Sequence, residues 1–100
     1  MNLAKPEKIS NSYGTVYKFA GGTMIQVYTV ETRTDNASIT FVEPFIESPA
    51  AFVTNVYSYS AAIIWSIGTP GLTSMNVYAY IAYGSPEVRN ARVVAIGRWK

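Results

Sequence analysis

The chain contains no cysteine and no histidine. Without cysteine there are no disulfides, no thiolate nucleophile and no soft metal ligand. Without histidine, the usual general base near neutral pH and the commonest metal ligand are both missing. Charge is scarce as well: Asp, Glu, Lys and Arg make up 14% of the 100 residues, against about 25% in an ordinary soluble domain. The formal net charge of +2 has no clustered run of Lys or Arg behind it, which argues against binding to a nucleic-acid backbone. No apolar run approaches the length a helix needs to span a bilayer, and Met1 to Lys8 lacks the apolar segment of a secretory signal. Neither nucleic acid nor membrane insertion is therefore expected. The missing charges are replaced by Tyr, Ser, Thr and Asn, and such a neutral, polar, aromatic surface suits contacts with other subunits or with sugars.

What is present is a β pattern. At 11.0 kDa the chain has the size of one domain and buries about 65% of its unfolded surface in a single core. Val93, Val94, Ala95 and Ile96 run without interruption, so apolar side chains appear on both faces of a strand there. Such a strand belongs inside a sheet, not at its edge. Upstream, residues 1–12 carry Pro6, three charges and Ser10-Asn11-Ser12 without periodicity, and are expected to be a linker or the end of a stalk. The folded domain is expected to span 13–100. Strands are predicted over Tyr13–Phe19, Thr23–Thr32, Ser38–Phe45, Phe52–Tyr59, Ala62–Ile67 and Ser74–Tyr83, with a closing strand from about Val88. Gly21-Gly22, Asp35-Asn36, Pro44, Pro49, Gly68 to Gly71 and Gly84-Ser85-Pro86 punctuate them. About seven short strands without helical periodicity predict an all-β fold, a small antiparallel β-sandwich or barrel. Met24, Tyr28, Val30, Tyr78 and Tyr80 are expected to form a second, partly apolar face covered by other copies, in a homotrimer.

Catalytic readings find little support. Glu43 with Glu47, or Glu31 with Asp35, are conceivable carboxylate pairs, but charges at strand ends and loops are what solubility alone would place there. Asp35, Asn36 and Glu31 offer oxygens without the alternating acidic spacing of a calcium loop. No catalytic residue, metal or cofactor is assigned. Asn36-Ala37-Ser38 matches a glycosylation sequon of a kind common by chance. The aromatics carry more information. Tyr57, Tyr78, Tyr80 and Trp65 read foremost as stabilisers of the sheet or of a subunit interface. Tyr59 and Tyr83 fall at strand ends where loops begin. With Arg33, Asp35 and Asn36, the most polar interior stretch, they form the candidate ligand site: aromatic faces for sugar C–H groups, and polar partners for hydroxyls.

Three stretches carry a resemblance. Lys18 to Gln26, reading Lys-Phe-Ala-Gly-Gly-Thr-Met-Ile-Gln, resembles the LPNG-(x)-IIQWG hairpin in the C-terminal domain of bacteriophage tail-fibre proteins. Ile39 to Phe45, followed by Pro49 and the strand from Phe52, resembles that family's VTFPxAFPxxPxV segment. Val93 to Arg98 is similar to its terminal WIAIG strand. Val27-Tyr28 stand where the family usually has Trp-Gly, and Val93 where it often has an aromatic. The resemblance implies a β-sandwich at the tip of a trimeric virion fibre. Its implied role is non-enzymatic recognition of a bacterial surface receptor, such as a polysaccharide or lipopolysaccharide, during host adsorption. The alternative from another class is a trimerisation or capping domain of the fibre that binds no ligand.

Overall fold

A computed structural model describes residues 5–55, 62–83 and 88–100, apart from the side chains of Ala62 and Tyr83. Eight strands follow one another: β1 (Glu7–Ser10), β2 (Gly14–Lys18), β3 (Thr23–Thr32), β4 (Asn36–Thr40), β5 (Ala50–Asn55), β6 (Ala62–Ile67), β7 (Ser74–Tyr83) and β8 (Arg89–Arg98). They form two antiparallel sheets, one in the order β1-β2-β3-β8-β5 and one in the order β4-β7-β6. The fold is all-β, as the turn spacing predicts. With extents of 51 × 24 × 21 Å and a radius of gyration of 14.9 Å, it is longer than a 100-residue globule, for which about 13 Å is usual.

The closing strand lies inside its sheet. β8 pairs with β3 from Thr23 opposite Arg98 to Thr32 opposite Arg89, and on its other side with β5 from Ala50 opposite Ile96 to Asn55 opposite Ala91. Ala91, Val93 and Ala95 face the core and are buried. Val94 and Ile96 point to the opposite face, so the uninterrupted apolar run serves both sides of the sheet.

The core is completed by Val16, Met24, Gln26, Tyr28 and Val30 of the larger sheet, packed on Ile39, Met75, Val77 and Ala79 of the smaller. This reverses the expectation for β3. Met24, Tyr28 and Val30 are not on a second face left for other copies; they are buried between the sheets. Both faces of β3 carry apolar residues, so its alternation does not say which one turns inward. Packing decides it. Tyr28, Gln26 and Val30 stand opposite the smaller Val93, Ala95 and Ala91 of β8, and large beside small is what fills an interior without voids. Tyr78 and Tyr80 do point outward, as expected.

Other boundaries differ too. Within the polar lead-in, Glu7–Ser10 pairs with β2, with Ile9 opposite Val16. Strand pairing at an edge uses backbone groups and asks little of the side chains, which is why no periodicity announces β1. β4 ends at Thr40, ahead of Phe41 to Phe45, and β5 ends at Asn55 among the described residues.

The two ends of the resemblance meet in space. The hairpin between β2 and β3 turns at Gly22, whose φ of 105° lies in the region that favours glycine. Trp99, just past β8, donates its backbone N–H to Gly22 O at 2.9 Å and its indole N–H to Phe19 O at 2.8 Å. Lys18 and Lys100 lie over the indole ring at 4.5 and 4.8 Å, a cation–π arrangement. The hairpin therefore anchors the far end of the closing strand.

Candidate ligand-binding surface

The ends of β3, β5 and β7 and the starts of β4, β6 and β8 lie at one end of the sandwich. The turn from β3 to β4 is fixed there by short-range hydrogen bonds. Thr32 Oγ1 accepts from the Thr34 N–H and donates to Asn36 O, both at 3.1 Å, and Thr34 Oγ1 donates to the same carbonyl at 2.8 Å. Asp35 O accepts from the Ala79 N–H at 2.8 Å. The Asp35 carboxylate accepts from Arg89 Nη1, also at 2.8 Å, and that nitrogen lies 3.3 Å from Ala79 O. Arg89 is buried at the start of β8 whereas the Asp35 side chain is 91% exposed. The pair thus ties the turn to the larger sheet while offering a carboxylate oxygen to solvent.

Of the residues singled out in the sequence, Arg33, Asp35 and Asn36 come together in this turn, all exposed. Tyr83 ends β7 opposite Ala62. Tyr59, like Tyr57, lies outside the described residues. The structure adds a neighbour that the sequence reading assigned foremost to sheet stabilisation: Asn36 is directly opposite Tyr78 in the β4–β7 ladder, and Ser66 of β6 is opposite Tyr78 on its other side. The ladder hydrogen bonds are made at Asp35 and at Phe41, so Asn36 and Tyr78 form a non-hydrogen-bonded pair, the kind in which side chains approach most closely. One step along, Ser38 faces Asn76. The outer face of the smaller sheet thus presents a phenol ring, 42% exposed, among two carboxamides and two hydroxyls. The alternation of Asn76, Tyr78 and Tyr80 was readable; that Asn36 would be their neighbour was not, because β4 pairs with β7, three elements further on.

Chemically, this surface can stack an apolar ring face and hydrogen-bond hydroxyls. One carboxylate of each pair considered for catalysis faces a cation: Glu43 lies 4.0 Å from Lys18, and Asp35 pairs with Arg89. Among the described residues no group of three or more Asp or Glu side chains is placed to hold a metal ion.

No protein-family model matches the sequence, and no curated protein matches it significantly. Solved structures do match in fold. An N-truncated R2-type pyocin tail fibre superposes with a TM-score of 0.71 at 18% identity, over 95% of this chain and 39% of that one. A C-terminal fragment of the R2 pyocin fibre of P. aeruginosa gives 0.68 at 18% identity, over 95% of this chain and 26% of its own. The chain spans well under half of either fibre fragment. The chain thus has the fold of a domain found in pyocin tail fibres, the all-β architecture implied by its resemblance to phage tail-fibre C-terminal domains.

Proposed function

We propose that this chain is the receptor-binding domain of a tail fibre on a virion or phage-tail-like particle, that it recognises a bacterial surface saccharide without catalysing a reaction, and that it works as a homotrimer. The observation that carries this reading is the fold likeness to R2 pyocin tail fibres over 95% of the chain. Saccharide recognition is supported by the patch of Asn36, Ser38, Ser66, Asn76 and Tyr78, bordered by Arg33 and Asp35. A hydroxyl-rich ligand needs such groups to replace its water, at about 1 kcal/mol net for each hydrogen bond. Single sites of that strength are weak, and threefold display multiplies their effect on a surface of repeated sugars.

Self-association is supported by the outer face of the larger sheet, where Ile25, Val27, Val94, Ile96 and Phe52 lie in adjacent strands. Phe52 is 57% and Ile96 37% exposed. Burying these residues against other copies removes an apolar face from water. The same face also favours a second reading, in which the domain only caps or trimerises the fibre.

Adhesion of the labelled protein to a panel of bacterial strains separates the two. The receptor-binding reading expects adhesion to some strains, competed by their extracted lipopolysaccharide and lost in Asn36→Ala/Tyr78→Ala with the oligomer intact. Adhesion to no strain, with a stable trimer, leaves only the capping role.

A further inference from the structure

On the other side of β4 the two sheets part. Between β3 and the edge of β4 lies a cleft of about 540 Å³, inside the range of about 300–1,000 Å³ typical of small-ligand sites. Its floor is apolar, made by Tyr28, Val30, Ile39 and Phe41, and its rim is polar, with Asn11, Glu31, Ser38 and Thr40. The floor is fixed in place. The Tyr28 hydroxyl donates to Gln26 and accepts from the Val42 N–H at 2.9 Å, and the Tyr28 and Phe41 rings are 6.2 Å apart.

Tyr13 stands at the mouth, 74% exposed. It is not on a loose loop. Asn11 Oδ1 accepts from the backbone N–H of Tyr13 at 2.8 Å and of Gly14 at 3.0 Å, and the Asn11 N–H donates to Gly14 O at 3.0 Å. Gly14 is required for this turn to sit where it does, since a Cβ there would lie 2.5 Å from Val27 O and 2.6 Å from the Tyr28 ring. A large aromatic is thus held out in water by a rigid turn, beside a cleft with an aromatic floor. Neither sheet packing nor the turn itself needs a ring at that position.

The rim supplies hydrogen bonds of both kinds. β4 is an edge strand whose partner is β7 alone. Because the ladder bonds fall on Asp35 and Phe41, alternation turns the backbone N–H and C=O of Ser38 and Thr40 toward the cleft. Asn11 uses its carbonyl oxygen in the turn, which leaves its side-chain NH2 for an outside acceptor. The charge is one-sided: among the described residues the lining contains one carboxylate, Glu31, and no Lys or Arg. An anionic ligand has no counterion there and meets a like charge, whereas hydroxyl groups find acceptors and donors along the whole rim.

We propose that this cleft is a binding site for a short stretch of neutral saccharide, with Tyr13 as its stacking platform and the edge of β4 as its hydrogen-bonding wall. The proposal rests on the saccharide-binding reading above and deepens it. A polymer crossing β4 touches Asn36 and Tyr78 on one side and the cleft on the other, and the charge of the lining selects uncharged sugar units over uronic or phosphorylated ones.

The test is a titration of the intact protein, followed by amide NMR, with maltose, N,N′-diacetylchitobiose and digalacturonate. The amides of Asn11, Glu31, Ser38 and Thr40 are expected to shift with at least one neutral disaccharide and not with digalacturonate. Tyr13→Ala should weaken that binding about tenfold at an unchanged melting temperature, and Leu72→Ala, at an exposed site elsewhere, should not. Absence of shifts with both neutral disaccharides at tens of millimolar overturns the proposal, as does an equal response to digalacturonate. Shifts confined to the amides of Ser38 and Thr40 on adding an extended peptide, with none from sugar, would assign the edge of β4 to strand addition instead. Cell adhesion keeps the two levels apart: a parent that adheres through Asn36 and Tyr78 while its cleft stays silent loses only the cleft, and a parent that adheres to no strain loses the receptor-binding reading.

Discussion

The Tyr28 hydroxyl donates to the side-chain oxygen of Gln26, two residues back on the same face of β3, and neither residue is more than 2% exposed. Gln26 Nε2 in turn donates to Glu43 O at 2.7 Å, and Tyr28 accepts from the Val42 N–H. Two polar side chains of one sheet thereby hold the segment that follows β4 of the other, and each polar atom of the network has a partner. Such a network stabilises while complete and is costly when one member is removed.

Gln26→Ala leaves the Tyr28 O–H without its acceptor and removes the side-chain donor to the Glu43 carbonyl, and it opens a void beside Ala95. The expected loss is about 3 kcal/mol, a fall in melting temperature of roughly 10–20 °C for a domain of this size. Tyr28→Phe should cost less, and the double variant less than the sum of the two. Strict additivity in chemical or thermal unfolding would show that the residues do not act together.

Alkaline pH provides a separate readout. Burial holds the Tyr28 phenol above its ordinary value of 10.0, with the Val42 hydrogen bond pulling partly the other way. Above that pH the unfolded chain releases this proton while the folded chain keeps it, so the unfolded state binds fewer protons and stability falls as pH rises. The contribution is whole below the unfolded value and is lost on the way up through the folded one. Unfolding measured between about pH 9 and about pH 11 should decline more steeply for the parent than for Tyr28→Phe. Equal slopes would mean that the phenol is not shielded.

Gly97 admits Phe45 against β8: a Cβ at this position would sit 2.7 Å from Phe45 Cδ1 and 3.1 Å from Pro49 Cβ. Phe45 also packs edge-on to Phe41 with ring centroids 5.0 Å apart, so it has little room to retreat. Gly97→Ala is expected to destabilise by about 1–3 kcal/mol through overpacking, and a variant as stable as the parent in urea would rule out this contact.

The outer face of the larger sheet makes a prediction about assembly. Phe52→Asp or Ile96→Lys puts charge where the proposed trimer would bury it, and light scattering should then give a monomer with the parent's circular dichroism. A parent that is itself monomeric at micromolar concentration would remove that role from the face.

The closing strand was readable in advance because Val93 to Ile96 leave no register in which one face is polar. The inward face of β3 was not, since Ile25 and Val27 compete with Met24, Tyr28 and Val30, and the choice depends on the small residues of a strand some seventy positions away. Of the site, the turn at Asp35-Asn36 announces itself through its side chains, whereas its tyrosine neighbour depends on a pairing that skips β5 and β6. Tyr13 read as the start of a strand; its exposure comes from the Asn11 turn, which leaves β2 to begin at Gly14.

Because β8 lies between β3 and β5, folding has an order imposed on it. Thr23 meets Arg98 across the ladder, so β3 waits without its long partner until almost the whole domain has left the ribosome. Until then its apolar faces and unpaired backbone are open to neighbouring nascent chains, and closure over such a sequence separation is intrinsically slow. If three copies assemble, their meeting competes with this wait, and the yield of folded protein becomes a race between β8 arriving from its own chain and strands borrowed from another.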